Sequence, residues 1–176
     1  MTLDLARIRA TRDAAAETVQ RYQIIFTLNA DRIASLGPPS FPLHWESIKF
    51  DDPAQIGNIP NNKRGVYAFV VAAHASALPT HGYIMYIGIA GRRSARSLRA
   101  RYRDYLNTNK VLERPEVMRM IATWHDVLRF FYAPVDNKIT SAQLESLERA
   151  LNTVWMPPCV ERDVDAATRA MQKAFP

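Results

Sequence analysis

Four side chains between positions 67 and 148 are the strongest candidates for chemistry in this sequence: the phenols Tyr67 and Tyr86, the guanidinium of Arg101 and the carboxylate of Glu148. A single arginine set apart from other cations suits one anionic group, for example a phosphate whose charge grows during a reaction. Glu148 lies at the edge of an apolar helical stripe, where a carboxylate is partly desolvated and needs a partner. That partner is either a bound metal ion or a neighbouring arginine, and the sequence leaves both interpretations open.

The arginines after position 90 fall into two groups on a helix that the pattern predicts over 91–107. At about 100° per residue, Arg101 lies on one flank of this helix, beside Tyr105. Four other arginines lie on the opposite, outer flank: Arg92, Arg96, Arg99 and Arg103. A row of this kind suits contact with a phosphate backbone, so we expect it to bind nucleic acid. A solvated basic surface is the alternative interpretation.

Two predicted strands must position the phenols. Residues 65–71 and 83–90 are rich in β-branched and aromatic side chains, which predicts a hairpin with a long connection. Because side chains alternate along a strand, Tyr67 and Tyr86 can share one face of this hairpin. Gly88 lies on the same face as Tyr86 and leaves room for a backbone or a phosphate to approach.

The remaining pattern predicts an α+β fold, in which a small three-stranded sheet, mixed or antiparallel, is flanked by helices. The third strand is expected over 127–135, and further helices are expected over 115–124, 141–155 and near 163–174. Together these elements make up a domain over residues 63–176.

Residues 1–62 are expected to form an N-terminal helical extension and a linker. One amphipathic helix is predicted over about 4–34, and a proline-rich break follows it. The type of the short stretch at 43–50 is not decided by its pattern. The long first helix is compatible with a homodimer.

The order of these pieces resembles the GIY-YIG nuclease family. The resemblance covers about residues 63–161, and it rests on Gly65-Val66-Tyr67, on Tyr86-Ile87-Gly88, on the spacing of Leu98, Arg101 and Tyr105, and on Glu148 followed by Leu151 and Pro157. It implies a metal-dependent endonuclease that hydrolyses phosphodiester bonds of nucleic acid. The expected substrate is DNA, and the expected cofactor is Mg²⁺ (or Mn²⁺).

The resemblance also implies a role for each of the four candidate residues. Tyr67 would be the general base that activates water, or Tyr86 would share that task through a hydrogen bond. A free phenol has a pKa of about 10, so nearby positive charge must help it. Arg101 would hold the phosphate and stabilise the transition state, and Glu148 would bind the metal ion that stabilises the leaving oxygen. Gly65 and Gly88 are the motif glycines.

Two positions depart from the family pattern. The family places an asparagine shortly after the proline of its last motif, near Val160 here, and often a polar residue where this chain has Ile89. These departures keep a second hypothesis open, a module of the same fold that binds nucleic acid but cuts it weakly or not at all. A third hypothesis is an interaction protein whose basic helix binds an acidic protein partner.

The composition is compatible with a nucleic-acid partner. The chain of 176 residues has 23 Lys and Arg against 17 Asp and Glu, and a basic balance favours polyanions.

The single cysteine, Cys159, excludes an internal disulfide and fits a cytoplasmic setting. We expect no membrane partner, because no apolar stretch approaches about 18 residues. The histidines lack the spacing of zinc ligands, although His81, just before the second strand, could approach the site.

Overall fold

The computed structural model describes residues 3–18, 28–72, 82–92 and 96–160. Within these ranges, one antiparallel sheet is flanked by α-helices. The strands are β1 (Glu46–Lys49), β2 (Gly65–Val71), β3 (Tyr83–Ala90) and β4 (Leu128–Pro134). The helices are α1 (Leu5–Thr18), α2 (Ala30–Ser35), α3 (Leu98–Tyr105), α4 (Thr108–Leu112), α5 (Pro115–Trp124) and α6 (Ser141–Trp155).

The α+β class is confirmed, but the sheet has four strands in the order β1-β4-β2-β3 instead of the three that were expected. The additional strand, β1, comes from the stretch at 43–50 and pairs with β4 along its whole length. Four residues are too few for periodicity to identify a strand, so its pairing with a distant segment decides its conformation. In the β2-β3 hairpin, Tyr67 is opposite Gly88 and Phe69 is opposite Tyr86.

The sheet is covered on both faces because the side chains of β2 alternate between two apolar clusters. Tyr67 and Phe69 pack into the larger cluster, which also takes buried residues from α1, α3, α4 and α5. Val66 and Ala68 pack into the smaller cluster, together with Leu144 and its neighbours on α6. Arg101 on α3 and Glu148 on α6 therefore belong to helices on opposite faces of the sheet.

The helix predicted over 4–34 is not continuous. Asn29 has an extended backbone, with φ of −119° and ψ of 108°, and its side chain accepts a hydrogen bond from the backbone of Arg32. Asparagine is a strong helix N-cap, so α2 starts afresh at Ala30 despite the apolar periodicity. Residues 19–27 of the predicted helix lie outside the described residues.

The basic helix is shorter than the 91–107 that were predicted. Ser97 is extended and caps α3 by accepting a hydrogen bond from the backbone of Ala100, so the helix begins at Leu98. Arg92 and Arg96 consequently precede the helix, and the predicted row of four arginines on one helical flank is wrong.

Helices α5 and α6 match their predicted ranges. Pro115 occupies the first turn of α5, where its missing N–H costs no hydrogen bond. Thr140 and Gln143 form a capping box at the start of α6. Met156, with φ of 42°, ends α6 before two prolines. The short helix predicted near 163–174 lies outside the described residues.

Residues before position 63 contribute to the same core as the rest of the chain. Helix α1 packs against α5 and α4, and Ile8 and Ile48 are buried in the larger cluster. The boundary between residues 62 and 63 stays a prediction. None of the helices in the described ranges combines the length and the apolar character needed to cross a membrane.

Candidate active site

The β2-β3 hairpin and α3 bring the hydroxyl of Tyr67 against the side chain of Arg101. Arg101 Nε donates a hydrogen bond of 2.9 Å to the Tyr67 hydroxyl. The Tyr67 hydroxyl also shares a hydrogen bond of 2.7 Å with the hydroxyl of Tyr105. Arg101 and Tyr105 are one helical turn apart on α3, so both reach the same phenol. The result is a guanidinium and two phenols joined by hydrogen bonds.

Tyr86 and Arg114 complete the group around Tyr67. The rings of Tyr67 and Tyr86 stack with centroids 6.2 Å apart, which confirms that both phenols lie on one face of the hairpin. The Arg114 guanidinium lies 4.8 Å from the ring centroid of Tyr105 and 5.6 Å from that of Tyr86. We call Tyr67, Tyr86, Tyr105, Arg101 and Arg114 the tyrosine-arginine cluster.

Sequence reasoning missed two members of this cluster. Tyr105 was part of the motif but was given no part in the chemistry. Its position one helical turn after Arg101 could have indicated that both side chains reach the same phenol. Arg114 was not identified, because it lies between α4 and α5 and only the fold brings it beside Tyr105.

Burial dominates the electrostatics of the two predicted phenols. It raises the pKa of Tyr67 well above the usual value, the neighbouring phenols add to the rise, and Arg101 opposes it. Burial also raises the pKa of Tyr86. The pKa of Arg101 is raised, chiefly by its attraction to Tyr67. The positive charge that a basic phenol needs is therefore in place, but burial outweighs it, and Tyr67 keeps its proton at neutral pH in this arrangement.

The buried phenols predict a loss of stability at alkaline pH. Burial raises the pKa values of Tyr67, Tyr86 and Tyr102 in the folded protein, whereas phenols in the unfolded chain titrate near pH 10. The folded state holds these protons more tightly, so their stabilising effect is complete below about pH 10 and is lost as the pH rises above it. Urea unfolding at a series of pH values should give a free energy that falls above about pH 10, and a constant value there would contradict the burial of these hydroxyls.

Gly88 provides the space that the Tyr67 ring occupies. A Cβ at Gly88 would lie 2.5 Å from the Tyr67 hydroxyl oxygen and 2.7 Å from its Cζ atom. The ring is held from its other side by Phe130, with centroids 5.4 Å apart, and its hydroxyl is held by Arg101. A residue larger than glycine at position 88 would therefore collide with the Tyr67 ring.

Replacement of Gly88 by alanine should destabilise the protein by about 1–3 kcal/mol, because the added methyl group overpacks a filled core. Gly57→Ala is the matched control, since no atom lies within 4 Å of a Cβ built at Gly57. Urea denaturation of both variants measures the difference. Equal stabilities would show that the Tyr67 ring moves aside at little cost.

Glu148 is buried on α6 and forms an ion pair with Arg92. The arginine that the sequence left open as a partner is present, and the metal ion stays a prediction. Within the described ranges, no group of three or more His, Cys, Asp or Glu side chains could hold a metal ion. Mg²⁺ commonly uses only one or two carboxylates together with water and phosphate oxygens. The Glu148 carboxylate fits that donor chemistry, in competition with Arg92.

Asn152 lies one helical turn after Glu148 on the same side of α6. It is fully buried, and neither its amide nitrogen nor its amide oxygen has a hydrogen-bond partner. A buried amide without partners costs about 1–3 kcal/mol. The expected asparagine position near Val160 holds a buried apolar residue, but α6 supplies a spare amide oxygen close in sequence to Glu148.

Three of the four arginines that were expected to bind nucleic acid make contacts within the chain. Arg92 pairs with Glu148, Arg96 lies 2.5 Å from Asp104, and Arg99 donates to the backbone oxygens of Ile59 and Gly57. Arg103 is exposed on α3. His81 lies outside the described residues.

Comparison of the chain with protein-family models, curated proteins and solved structures found no match.

Proposed function

We propose that this protein is a metal-dependent endonuclease that hydrolyses phosphodiester bonds of nucleic acid, with DNA as its substrate. The observation that carries the proposal is the hydrogen bond from Arg101 to the Tyr67 hydroxyl, which Tyr105 also contacts. A partly exposed guanidinium fixed beside a phenol can bind a phosphate and stabilise the charge that develops on it. The resemblance of these residues to the GIY-YIG motifs supports the same assignment.

Arg101 and Arg114 are the groups that would bind the phosphate. Arg101 is partly exposed and is already held on one side by Tyr67 and on the other by Asp104, which restricts its orientation. Arg114 donates to the Tyr105 hydroxyl at 3.4 Å and faces the same phenols. Two oriented cations neutralise the phosphate without the cost of reorganisation during the reaction.

Tyr67 would act as a general base, which would first lose its hydroxyl proton to solvent water and then accept a proton from the attacking water. Because its pKa is raised in the buried state, the hydroxyl must first be reached by water, and Arg101 then favours its ionised form. Glu148 would hold Mg²⁺ or Mn²⁺, which would supply Lewis-acid stabilisation of the leaving oxygen.

A second candidate function is a module that binds nucleic acid without cutting it. The ion pair between Glu148 and Arg92 favours this function, because it occupies the carboxylate that a metal ion would need. The raised pKa of Tyr67 favours it as well, since a protonated phenol is not a base.

A substrate panel separates these two functions. Wild-type protein would be incubated with linear duplex, branched and single-stranded DNA and with RNA, each in Mg²⁺, in Mn²⁺ and in EDTA. We expect cutting of DNA in either metal and none in EDTA. Binding of DNA in EDTA without cutting under any metal condition would favour the non-cutting module, and neither binding nor cutting would refute both.

A further inference from the structure

Three cationic side chains converge on one buried carboxylate beside the tyrosine-arginine cluster. The Asp104 side chain is 8% exposed, and its Oδ1 atom lies 2.5 Å from Arg96 Nη2 and 2.7 Å from Lys110 Nζ. Its Oδ2 atom lies 3.4 Å from Arg101 Nη1. The three cations come from the segment before α3, from α3 and from α4, so the fold assembles them from separate parts of the chain.

Three cationic side chains share the single carboxylate of Asp104. The Arg96, Arg101 and Lys110 side chains are 42%, 28% and 49% exposed, so an external anion can reach all three. Cations that share a carboxylate repel one another, and a bound anion would relieve that repulsion.

We infer that Asp104 holds Arg96, Lys110 and Arg101 as one phosphate-binding group, in which Arg96 and Lys110 contact the DNA backbone beside the phosphate bound by Arg101. This inference rests on the proposed function, because Arg101 links the group to Tyr67. Asp104 is a positioning residue, since it acts through the cations. The sequence pattern predicted no role for Lys110 or Asp104, and it placed Arg96 in a helical row that the structure does not form.

Salt-dependent DNA binding tests the two outer cations. A fluorescent 20-base-pair duplex would be titrated in EDTA, so that cutting cannot occur, at several salt concentrations. Arg96→Gln and Lys110→Gln should each reduce the slope of log K against log[salt] by about one, and weaken binding about five- to tenfold near 0.1 M salt. Arg119→Gln and Lys138→Gln remove the same charge from exposed positions elsewhere, and they should leave the slope unchanged.

Asp104→Asn tests the positioning role, because charge compensation and positioning of Arg101 predict different changes in DNA binding and in kcat. The substitution raises the net charge of the protein by one, so a role limited to charge compensation predicts tighter DNA binding and an unchanged kcat. Loss of orientation of Arg101 instead predicts a kcat at least about tenfold lower, with KM unchanged or decreased. If this variant fails to fold, the Arg96 and Lys110 variants still decide the inference.

The outcomes separate this inference from the proposed function. Wild-type protein that binds and cuts DNA, with Arg96 and Lys110 variants whose salt slopes equal those of the controls, would overturn the phosphate-binding group alone. A kcat of Asp104→Asn equal to the wild-type value would overturn the positioning role. Wild-type protein that binds no DNA would overturn both the inference and the proposed function.

Discussion

Arg101→Lys is expected to lower the rate of DNA cleavage by about 10²–10³ while the protein stays folded. Lysine keeps the positive charge but has neither the Nε–H that donates to Tyr67 nor the planar fork that reaches Asp104 at the same time. The loss should appear mainly in kcat, because the lysine can still attract a phosphate but cannot hold it against the phenol. Single-turnover cleavage of a labelled duplex measures this effect.

The control for this prediction is Arg119→Lys, which makes the same exchange on α5, where the arginine contacts Glu116. This variant should cut at the wild-type rate. If Arg101→Lys also cuts at the wild-type rate, the charge of Arg101 alone is sufficient, and its bond to the Tyr67 hydroxyl has no part in the reaction.

Glu148→Gln is expected to lower metal-dependent cleavage by about 10² or more. Glutamine has nearly the same shape, but its neutral amide is a much weaker ligand for Mg²⁺ than a carboxylate. The substitution also removes the ionic partner of the partly exposed Arg92, so a modest loss of stability should accompany it. Cleavage rates across a titration of Mg²⁺ and of Mn²⁺ measure the effect on the metal requirement.

Glu145→Gln is the matched variant on α6, since Glu145 lies three residues before Glu148 on the same helix and is only partly buried. It should retain the metal dependence of the wild type. Cleavage by Glu148→Gln with unchanged rate and metal dependence would assign Glu148 a purely structural role as the partner of Arg92.

The local parts of the fold could be predicted from the sequence because their signals are local. Alternation of side chains along β2 and β3 predicted the shared face of Tyr67 and Tyr86, and their stacked rings confirm it. Apolar periodicity, Pro115 and the two prolines after Met156 placed α5 and α6. These features depend on neighbours within a few residues, which is the range over which sequence patterns act.

The parts that sequence reasoning missed depend on contacts between distant segments. Strand β1 is too short to be recognised until it pairs with β4. The side chain of Ser97 caps α3 and thereby removed Arg92 and Arg96 from the helix, although helical periodicity continued through them. Arg114 and Lys110 meet the site only because α4 folds back against α3.

Burial of Tyr67 also could not be derived from its motif. The sequence places a phenol near an arginine, and that arrangement alone suggests a lowered pKa. The structure adds the rings of Phe130 and Tyr86 on either side and excludes solvent from the hydroxyl, so desolvation reverses the direction of the shift. Access of water to Tyr67 is therefore the condition on which the proposed chemistry depends.

The most direct test of the tyrosine-arginine cluster as a catalytic centre compares wild type, Tyr67→Phe and Tyr132→Phe in cleavage of supercoiled plasmid DNA with Mg²⁺. Tyr132 is the cross-strand neighbour of Tyr67 on β4, and its hydroxyl bonds to Glu46 instead of to the cluster. We predict that wild type and Tyr132→Phe nick the plasmid, and that Tyr67→Phe binds DNA normally but cuts at least about 10² times more slowly. Cutting by Tyr67→Phe at the wild-type rate, or no cutting by the wild type, would contradict the assignment of this cluster as a nuclease site.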